Sequence, residues 1–167
     1  LHEEGAPSRE YFADGFTVAL IRSLGRFSGL TVMSWNAVAT YKGASAQPGE
    51  IARVLAVRYQ LEGSLRRAGS RVELIAQLVD VQGNVLWTGR FDEPVAGLPA
   101  LPGRMAREIA AALKIRSGER DGRAAMDLPT RSPEAFDLAL RAMARLRDAS
   151  SLDEARGLLR EALRRDP

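Results

Sequence analysis

The 167-residue sequence contains no cysteine, one histidine and two lysines, Lys42 and Lys114. Without cysteine, disulfides, thiolate catalysis and cysteine-ligated metal sites are excluded. The single histidine, His2, lies in a polar segment, residues 1 to 9, that we predict to be a loop or tail. A histidine site needs positioned partners, so we assign His2 neither a catalytic nor a metal-binding role.

Long apolar runs and a strong charge of one sign are also missing. No apolar run approaches the ~20 residues that a membrane helix needs, so we predict no membrane span in this chain. The 24 basic residues exceed the 21 acidic residues only enough for a net charge of +3. An excess of this size gives little support for a nucleic-acid partner.

Motifs for phosphate binding or nucleophilic catalysis are not found. Gly25 and Gly29 are not followed by the Lys-Ser/Thr pair of a phosphate loop, and the serines have no histidine partner. Four acidic residues could form a metal or acid/base cluster, namely Asp14, Glu62, Asp80 and Asp92. We expect Asp14 to hydrogen-bond or cap at the first helix, and the others to lie at strand ends or on a solvated face. We therefore predict a non-catalytic chain without a cofactor.

Apolar periodicity predicts the elements of the first part. Phe12, Phe16 and Leu20 recur at helical spacing, which predicts a helix over residues 10 to 27. Residues 29 to 34 have the length and composition of a short buried strand, and residues 36 to 47 read as a polar loop. A second helix is expected from about residue 48 to 57.

Alternating apolar and polar residues predict three strands over residues 58 to 67, 70 to 81 and 84 to 92. Short turns at Ala68-Gly69 and Gln82-Gly83 join them, so they should form an antiparallel meander. Because Leu74 and Leu78 point to one face and Ile75 and Val79 to the other, we expect the central strand to be covered on both sides.

A helix over about residues 103 to 115 should complete an α/β (α+β) domain of residues 1 to 116, in which a mixed sheet with the meander is packed by helices. Residues 117 to 131 are poor in apolar side chains and read as a linker. Ser132 and Pro133 then supply an N-cap and a first-turn proline for a helix to about residue 147, and its antiparallel partner opens at Leu152. Residues 132 to 167 thus form a helical hairpin.

The hairpin resembles a tetratricopeptide (TPR) repeat. The spacing Ala155-x3-Leu159-x2-Ala162-x4-Pro167 is similar to the second helix of that repeat. A single repeat cannot bury its own apolar face. We therefore expect a longer parent protein with further repeats, and a protein partner that binds through this region. In the chain alone, the hairpin should dock on the α/β domain or on a second copy, which leaves a homo-oligomer open.

Residues 11 to 113 resemble the TolB-like amino-terminal domain of bacterial signalling proteins, which is similar to the flagellar protein FlgO. The motifs are YFADG at 11 to 15, YKG at 41 to 43, RYQLEGSLRRAG at 58 to 69, AQLVD at 76 to 80, LW at 86 to 87 and RFD at 90 to 92. Members of that family usually begin with an apolar strand, which this sequence lacks, so we expect that strand to be missing or supplied by another chain.

The resemblance implies a sensory or protein-interaction region in a bacterial signalling protein, C-terminal to an adenylate or guanylate cyclase. The alternatives it leaves open are a cell-envelope accessory domain of the TolB or FlgO kind and the sensory region of a winged-helix transcription regulator or protein kinase. Cytoplasmic and periplasmic locations are both compatible with it.

Two groups of residues are candidates for an interaction surface. Trp35, Tyr41 and Lys42 should lie in one loop, where exposed aromatic side chains favour recognition. Arg58 and three further arginines cluster near one hairpin and could bind an anion, although a solvated sheet edge explains them as well. Those three are Arg66, Arg67 and Arg71.

Overall fold

The computed structural model describes residues 2–3, 10–42, 50–115, 130, 132–146 and 151–167. Its strands are β1 (His2–Glu3), β2 (Tyr59–Ala68), β3 (Arg71–Asp80) and β4 (Val85–Pro94). Its helices are α1 (Glu10–Leu24), α2 (Trp35–Ala39), α3 (Glu50–Val54), a 3-10 helix (Val95–Ala100), α4 (Leu101–Ala112), α5 (Pro133–Arg145) and α6 (Leu152–Arg165). The mixed α/β fold class predicted from the sequence is confirmed.

The sheet has the order β1-β2-β3-β4, with β1 parallel to β2 and the other pairs antiparallel. The predicted meander is therefore confirmed. Its turns contain Gly69 at φ +60 and Gly83 at φ +87, a conformation that glycine adopts without strain. Asp80 stabilises the turn between β3 and β4, because its carboxylate accepts hydrogen bonds from the backbone N–H groups of Gln82 and Asn84 at 2.9 Å.

In the described part of the chain, one face of the sheet is covered along β3 and the opposite face is covered only in part. Val72, Leu74, Ala76 and Leu78 of β3 are at most 4 % exposed and pack in the core with α1 and α4. On the opposite face Ile75 is 45 % exposed, although Val79 is buried. The prediction that β3 is covered on both sides is wrong at Ile75, because no described helix lies against that face there.

The segment between α1 and α3 differs from the sequence prediction. Residues 29 to 34 form no strand and pair with none of the described strands. Leu30 and Val32 still pack against the core. Helix α1 ends at Leu24, three residues before the predicted end. Helix α2 (Trp35–Ala39) takes up the start of the predicted loop of residues 36 to 47.

The amino-terminal segment also differs. Residues 1 to 9 were predicted as a loop or tail, but His2–Glu3 pairs with Ser64 and Leu65 of β2 as a short parallel strand. The proline predicted to open the second helix, at position 48, lies outside the described residues, as does most of the predicted linker.

The carboxy-terminal hairpin docks on the α/β core through α5. Ser132 caps α5 by accepting a hydrogen bond from the N–H of Ala135 at 3.2 Å, and Pro133 occupies the first turn, as predicted. Phe136 and Leu140 belong to the same buried cluster as the residues of α1. Of the two predicted arrangements, docking on the α/β domain is the one observed.

Helix α6 packs on α5 through small residues. Ala155 is fully buried and Ala162 is 9 % exposed, which permits close approach of the two helices. Leu159, which belongs to the same TPR-like spacing, is 39 % exposed. No helix within the described part of the chain is long and apolar enough to cross a bilayer.

Candidate functional site

The contact between α1 and α5 is built around Gly15. A Cβ placed on Gly15 would lie 2.7 Å from Leu140 Cβ and 2.8 Å from Leu140 Cα. Distances below 3 Å are repulsive, so only glycine lets α5 approach α1 this closely. Phe12, Phe16 and Phe136 surround the contact with buried aromatic rings. We call this contact the α1–α5 joint.

A polar group closes the exposed side of the joint. The Tyr11 hydroxyl donates a hydrogen bond to Asp137 Oδ1 at 3.1 Å, and Arg141 pairs with Asp137 Oδ2 at 2.7 Å. The Arg141 guanidinium also lies 5.1 Å from the centre of the Tyr11 ring. Burial, followed by the nearby Asp137 carboxylate, raises the pKa of the Tyr11 hydroxyl, because both disfavour the phenolate.

A buried ion pair fastens another part of α1. Lys42 Nζ lies 2.6 Å from Asp14 Oδ1, and the two side chains are 23 % and 4 % exposed. We expected Asp14 either to cap α1 or to form a hydrogen bond there. Asp14 lies inside α1 and does not cap it, but its carboxylate accepts a hydrogen bond from Lys42. The pair ties the segment after α2 to the helix that also carries the joint.

Trp35 and Tyr41 flank α2 near this ion pair. Trp35 was predicted to lie in a loop but is the first residue of α2, and its side chain is half-buried. Tyr41 lies in the turn after α2, where its N–H bonds to the carbonyl of Val38 at 3.1 Å. The structure thus brings Trp35, Tyr41 and Lys42 into one short segment that packs beside α1.

Three arginines of the predicted group lie at the β2–β3 turn, whereas Arg58 precedes β2 at the opposite end of the strand, beside Tyr59. Arg66 pairs with Glu73 at 2.7 Å, and Arg71 pairs with Asp92 at 2.8 Å. Arg67 lies within 3.5 Å of the Gly69 carbonyl. Because cross-strand carboxylates neutralise two of the arginines, the group forms a charged sheet surface and not a basic patch.

The four acidic residues of the possible metal or acid/base cluster do not come together in one site. Glu62 accepts a hydrogen bond from Gln77 at 2.6 Å, whereas Asp80 and Asp92 serve the turn and the Arg71 pair. The Asn84 side chain is the main cause that lowers the pKa of Asp80. Within the described residues, no three histidine, cysteine or carboxylate side chains are close enough to hold a metal ion.

The hairpin presents an uncovered apolar stripe. Leu152, Leu159 and Leu163 are 49 %, 39 % and 64 % exposed, and their spacing of seven and four residues places them along one side of α6. Leu146, at the end of α5, is 52 % exposed. We call the three α6 residues the leucine stripe, and an uncovered stripe of this kind marks a place where another helix can pack.

The sequence predicted neither the joint nor the ion pair. Tyr11 and Gly15 are four residues apart and therefore share a helix face, as do Asp137 and Arg141. This spacing indicates that each pair can act together on its own helix. Nothing in it shows that the two helices meet.

No model of a known protein family matches the chain. The chain is similar to a protein of Rhizobium meliloti (strain 1021) named "Putative adenylate cyclase 3", with 37% identity over 171 aligned residues. The alignment covers 98% of this chain but 28% of the relative. The chain therefore spans less than a third of the length of the curated relative that it matches.

Proposed function

We propose that this chain is a non-catalytic sensory or protein-interaction region of a bacterial signalling protein, located C-terminal to an adenylate or guanylate cyclase domain. The observation that carries the proposal is the alignment of nearly the whole chain with 28% of a protein named as an adenylate cyclase. A match of this extent is compatible with a part of a larger, cyclase-associated protein.

The proposal includes the identity of the two parts. The α/β part is a TolB-like domain, and residues 132 to 167 are the first TPR-like hairpin of the parent protein. Support for the first comes from the sequence motifs already described. Support for the second comes from the small residues Ala155 and Ala162 at the helix contact and from the leucine stripe beside it. A following helix that packed on the stripe would extend the hairpin.

The α1–α5 joint gives the proposed region a way to influence its parent. Because α5 shares a core with α1, a change in the position of α1 would alter the packing of the hairpin. Helix α1 also holds Lys42 through Asp14, so the segment around α2 and the hairpin are connected through a single helix. A partner that binds the segment from Trp35 to Lys42 would therefore act on the hairpin through packed side chains.

The proposal is tested by measuring cyclic nucleotide formation from ATP and GTP. The purified 167-residue chain should form none, and the full-length gene product should form cAMP or cGMP. Cyclic nucleotide formed by the chain alone, and abolished by one substitution in it, would contradict the non-catalytic role.

The interaction role is tested in the full-length protein with Leu159→Glu combined with Leu163→Glu. Charge on the leucine stripe should prevent helix packing and change the cyclase activity or its response to the partner. The matched control is Arg164→Glu, which makes the same change in charge on the same helix at a side chain 72 % exposed, about 100° around the helix from Leu163 and so off the stripe. Equal activity of all three proteins would argue against a role of the stripe.

A further inference from the structure

The outer edge of β4 is the longest unpaired backbone surface in the described part of the chain. β4 is the last strand of the sheet and runs for ten residues, and no described strand pairs with its outer side. Unpaired strand edges attract further strands, and natural proteins cover or interrupt them. The features of β4 decide what can pair with it.

The hydrogen-bond pattern identifies the free backbone groups. The N–H of Val95 donates to the carbonyl of Ser70 at 2.9 Å, so residue 95 points its backbone groups at β3. In an antiparallel ladder this direction alternates along the strand. Thr88 and Arg90 therefore direct their N–H and C=O groups away from β3, toward solvent. Asp92 has the same orientation, but its carbonyl already accepts a hydrogen bond from the Arg71 guanidinium at 2.9 Å.

Aromatic side chains lie on the inner face of the same edge. Trp87 and Phe91 are half-buried, and their ring centroids are 6.3 Å apart. Gly89 lies between them, and a Cβ there would overlap the Trp87 ring and lie 2.6 Å from Phe91 Cε2. The rings thus close over Gly89 and leave apolar surface next to the free backbone groups.

We propose that β4 pairs antiparallel with β4 of a second copy of this chain, with Gly89 at the two-fold axis. In this register Thr88 lies opposite Arg90 of the second copy, and Trp87 lies opposite Phe91. Both aromatic pairs then face each other across the strands at the closer, non-hydrogen-bonded positions, where aromatic pairs stabilise a sheet.

Neighbouring registers are less favourable. A shift that puts Arg90 on the axis places two guanidinium groups directly opposite each other, which is repulsive. A shift that puts Phe91 on the axis pairs Thr88 with Pro94, which has no N–H to donate. That register also puts Asp92 in the central hydrogen-bonded pair, opposite Arg90, although the Asp92 carbonyl already accepts a hydrogen bond from Arg71. With Gly89 on the axis, Asp92 lies only in the outer pair, opposite Leu86. The pairing makes one continuous sheet from two copies, and it does not depend on the proposed function.

The first test is the mass of the chain in solution. Light scattering coupled to size exclusion should give twice the 18.2 kDa of the chain for the wild type. Thr88→Pro removes an N–H that points away from β3, so it should give the monomer mass. Thr88→Val keeps the N–H and should remain dimeric. A monomeric wild type, or a dimeric Thr88→Pro, would overturn the proposal.

The register is tested by disulfide trapping, which is clean because the chain has no cysteine of its own. A mixture of Thr88→Cys and Arg90→Cys chains should form a linked dimer under mild oxidation. Neither variant alone should do so, because like positions are offset by two residues, roughly 7 Å along the strand, beyond disulfide reach. Linkage of Arg90→Cys alone, or of Arg90→Cys with Asp92→Cys, would overturn the register. This arm decides the matter even if Thr88→Pro fails to fold.

Discussion

At the scale of single residues, Gly15 is a position where a larger side chain would meet the backbone of another helix. Gly15→Ala forces α1 and α5 apart, because the new Cβ would lie 2.9 Å or less from three atoms of Leu140. We expect a loss of about 1 to 3 kcal/mol in the free energy of unfolding. Urea unfolding followed by circular dichroism measures it.

Gly157→Ala is the matched control for this change. Gly157 is also helical, but a Cβ there meets no atom within 4 Å. Its replacement should stabilise the protein by about 1 kcal/mol through helix propensity alone. If Gly15→Ala were equally stabilising, the close contact at the joint would be refuted.

Lys42 is the residue whose loss exposes the cost of a buried charge. Lys42→Met leaves the Asp14 carboxylate, which is 4 % exposed, without this ammonium group. Removing one member of a buried pair costs about 3 kcal/mol or more. The double variant with Asp14→Asn should recover part of the loss, and thermal unfolding of the wild type, the two single variants and the double variant compares them. Additive losses would show that the pair does not act as a unit.

Tyr11 predicts a stability change at high pH. Its folded-state pKa is raised, first by burial and then by Asp137, so the stabilisation is present below the unfolded pKa of about 10 and is lost as pH rises through the folded value. Tyr11→Phe should cost about 1 kcal/mol at neutral pH and show a smaller fall above pH ~10. Denaturant unfolding across that range gives both slopes, and parallel slopes would contradict the assignment.

At the scale of elements, the two faces of β3 should respond differently to truncation. Leu74 is 1 % exposed and packs in the core, so Leu74→Ala should cost about 2 to 5 kcal/mol. Ile75 is 45 % exposed on the uncovered face, so Ile75→Ala should cost about 1 kcal/mol or less. Equal losses, measured by urea unfolding, would mean that another part of the protein covers the outer face.

The meander was predictable because strand alternation is a local property of the sequence. The apolar residues of positions 70 to 81 fall on alternate faces whatever surrounds them, and Gly69 and Gly83 mark the turns. The strand predicted at residues 29 to 34 failed for the opposite reason. A strand needs a neighbour, and which neighbour is free is decided by the whole sheet.

The joint shows the same limit for the candidate site. Tyr11 and Asp137 are separated by 126 positions, and no local pattern links them. Arg58, which was predicted to cluster with the arginines of the β2–β3 turn, lies at the other end of β2. The ion pairs that Arg66 and Arg71 form across the strands depend on strand register. Helix α2 was missed because five residues form too short a segment for apolar periodicity to develop.

At the scale of the whole molecule, the helical hairpin and the α/β part share one core. Phe136 and Leu140 are 5 % and 0 % exposed in the same cluster as the buried residues of α1, α4 and the sheet. A hairpin that is packed in this way should unfold together with the α/β part. The proposed region can act on its parent only if the two parts move together.

Native-state hydrogen exchange across Ala155 to Leu163 tests whether the hairpin and the α/β part unfold together. The buried side of α6 depends on α5, which depends on the joint, so these amides should be strongly protected in the wild type. Replacing Gly15 with valine should lower their protection together with that of α1, whereas Gly157→Ala should not. Free exchange of the hairpin amides in the wild type, together with a protected sheet, would show that the hairpin unfolds separately from the α/β part.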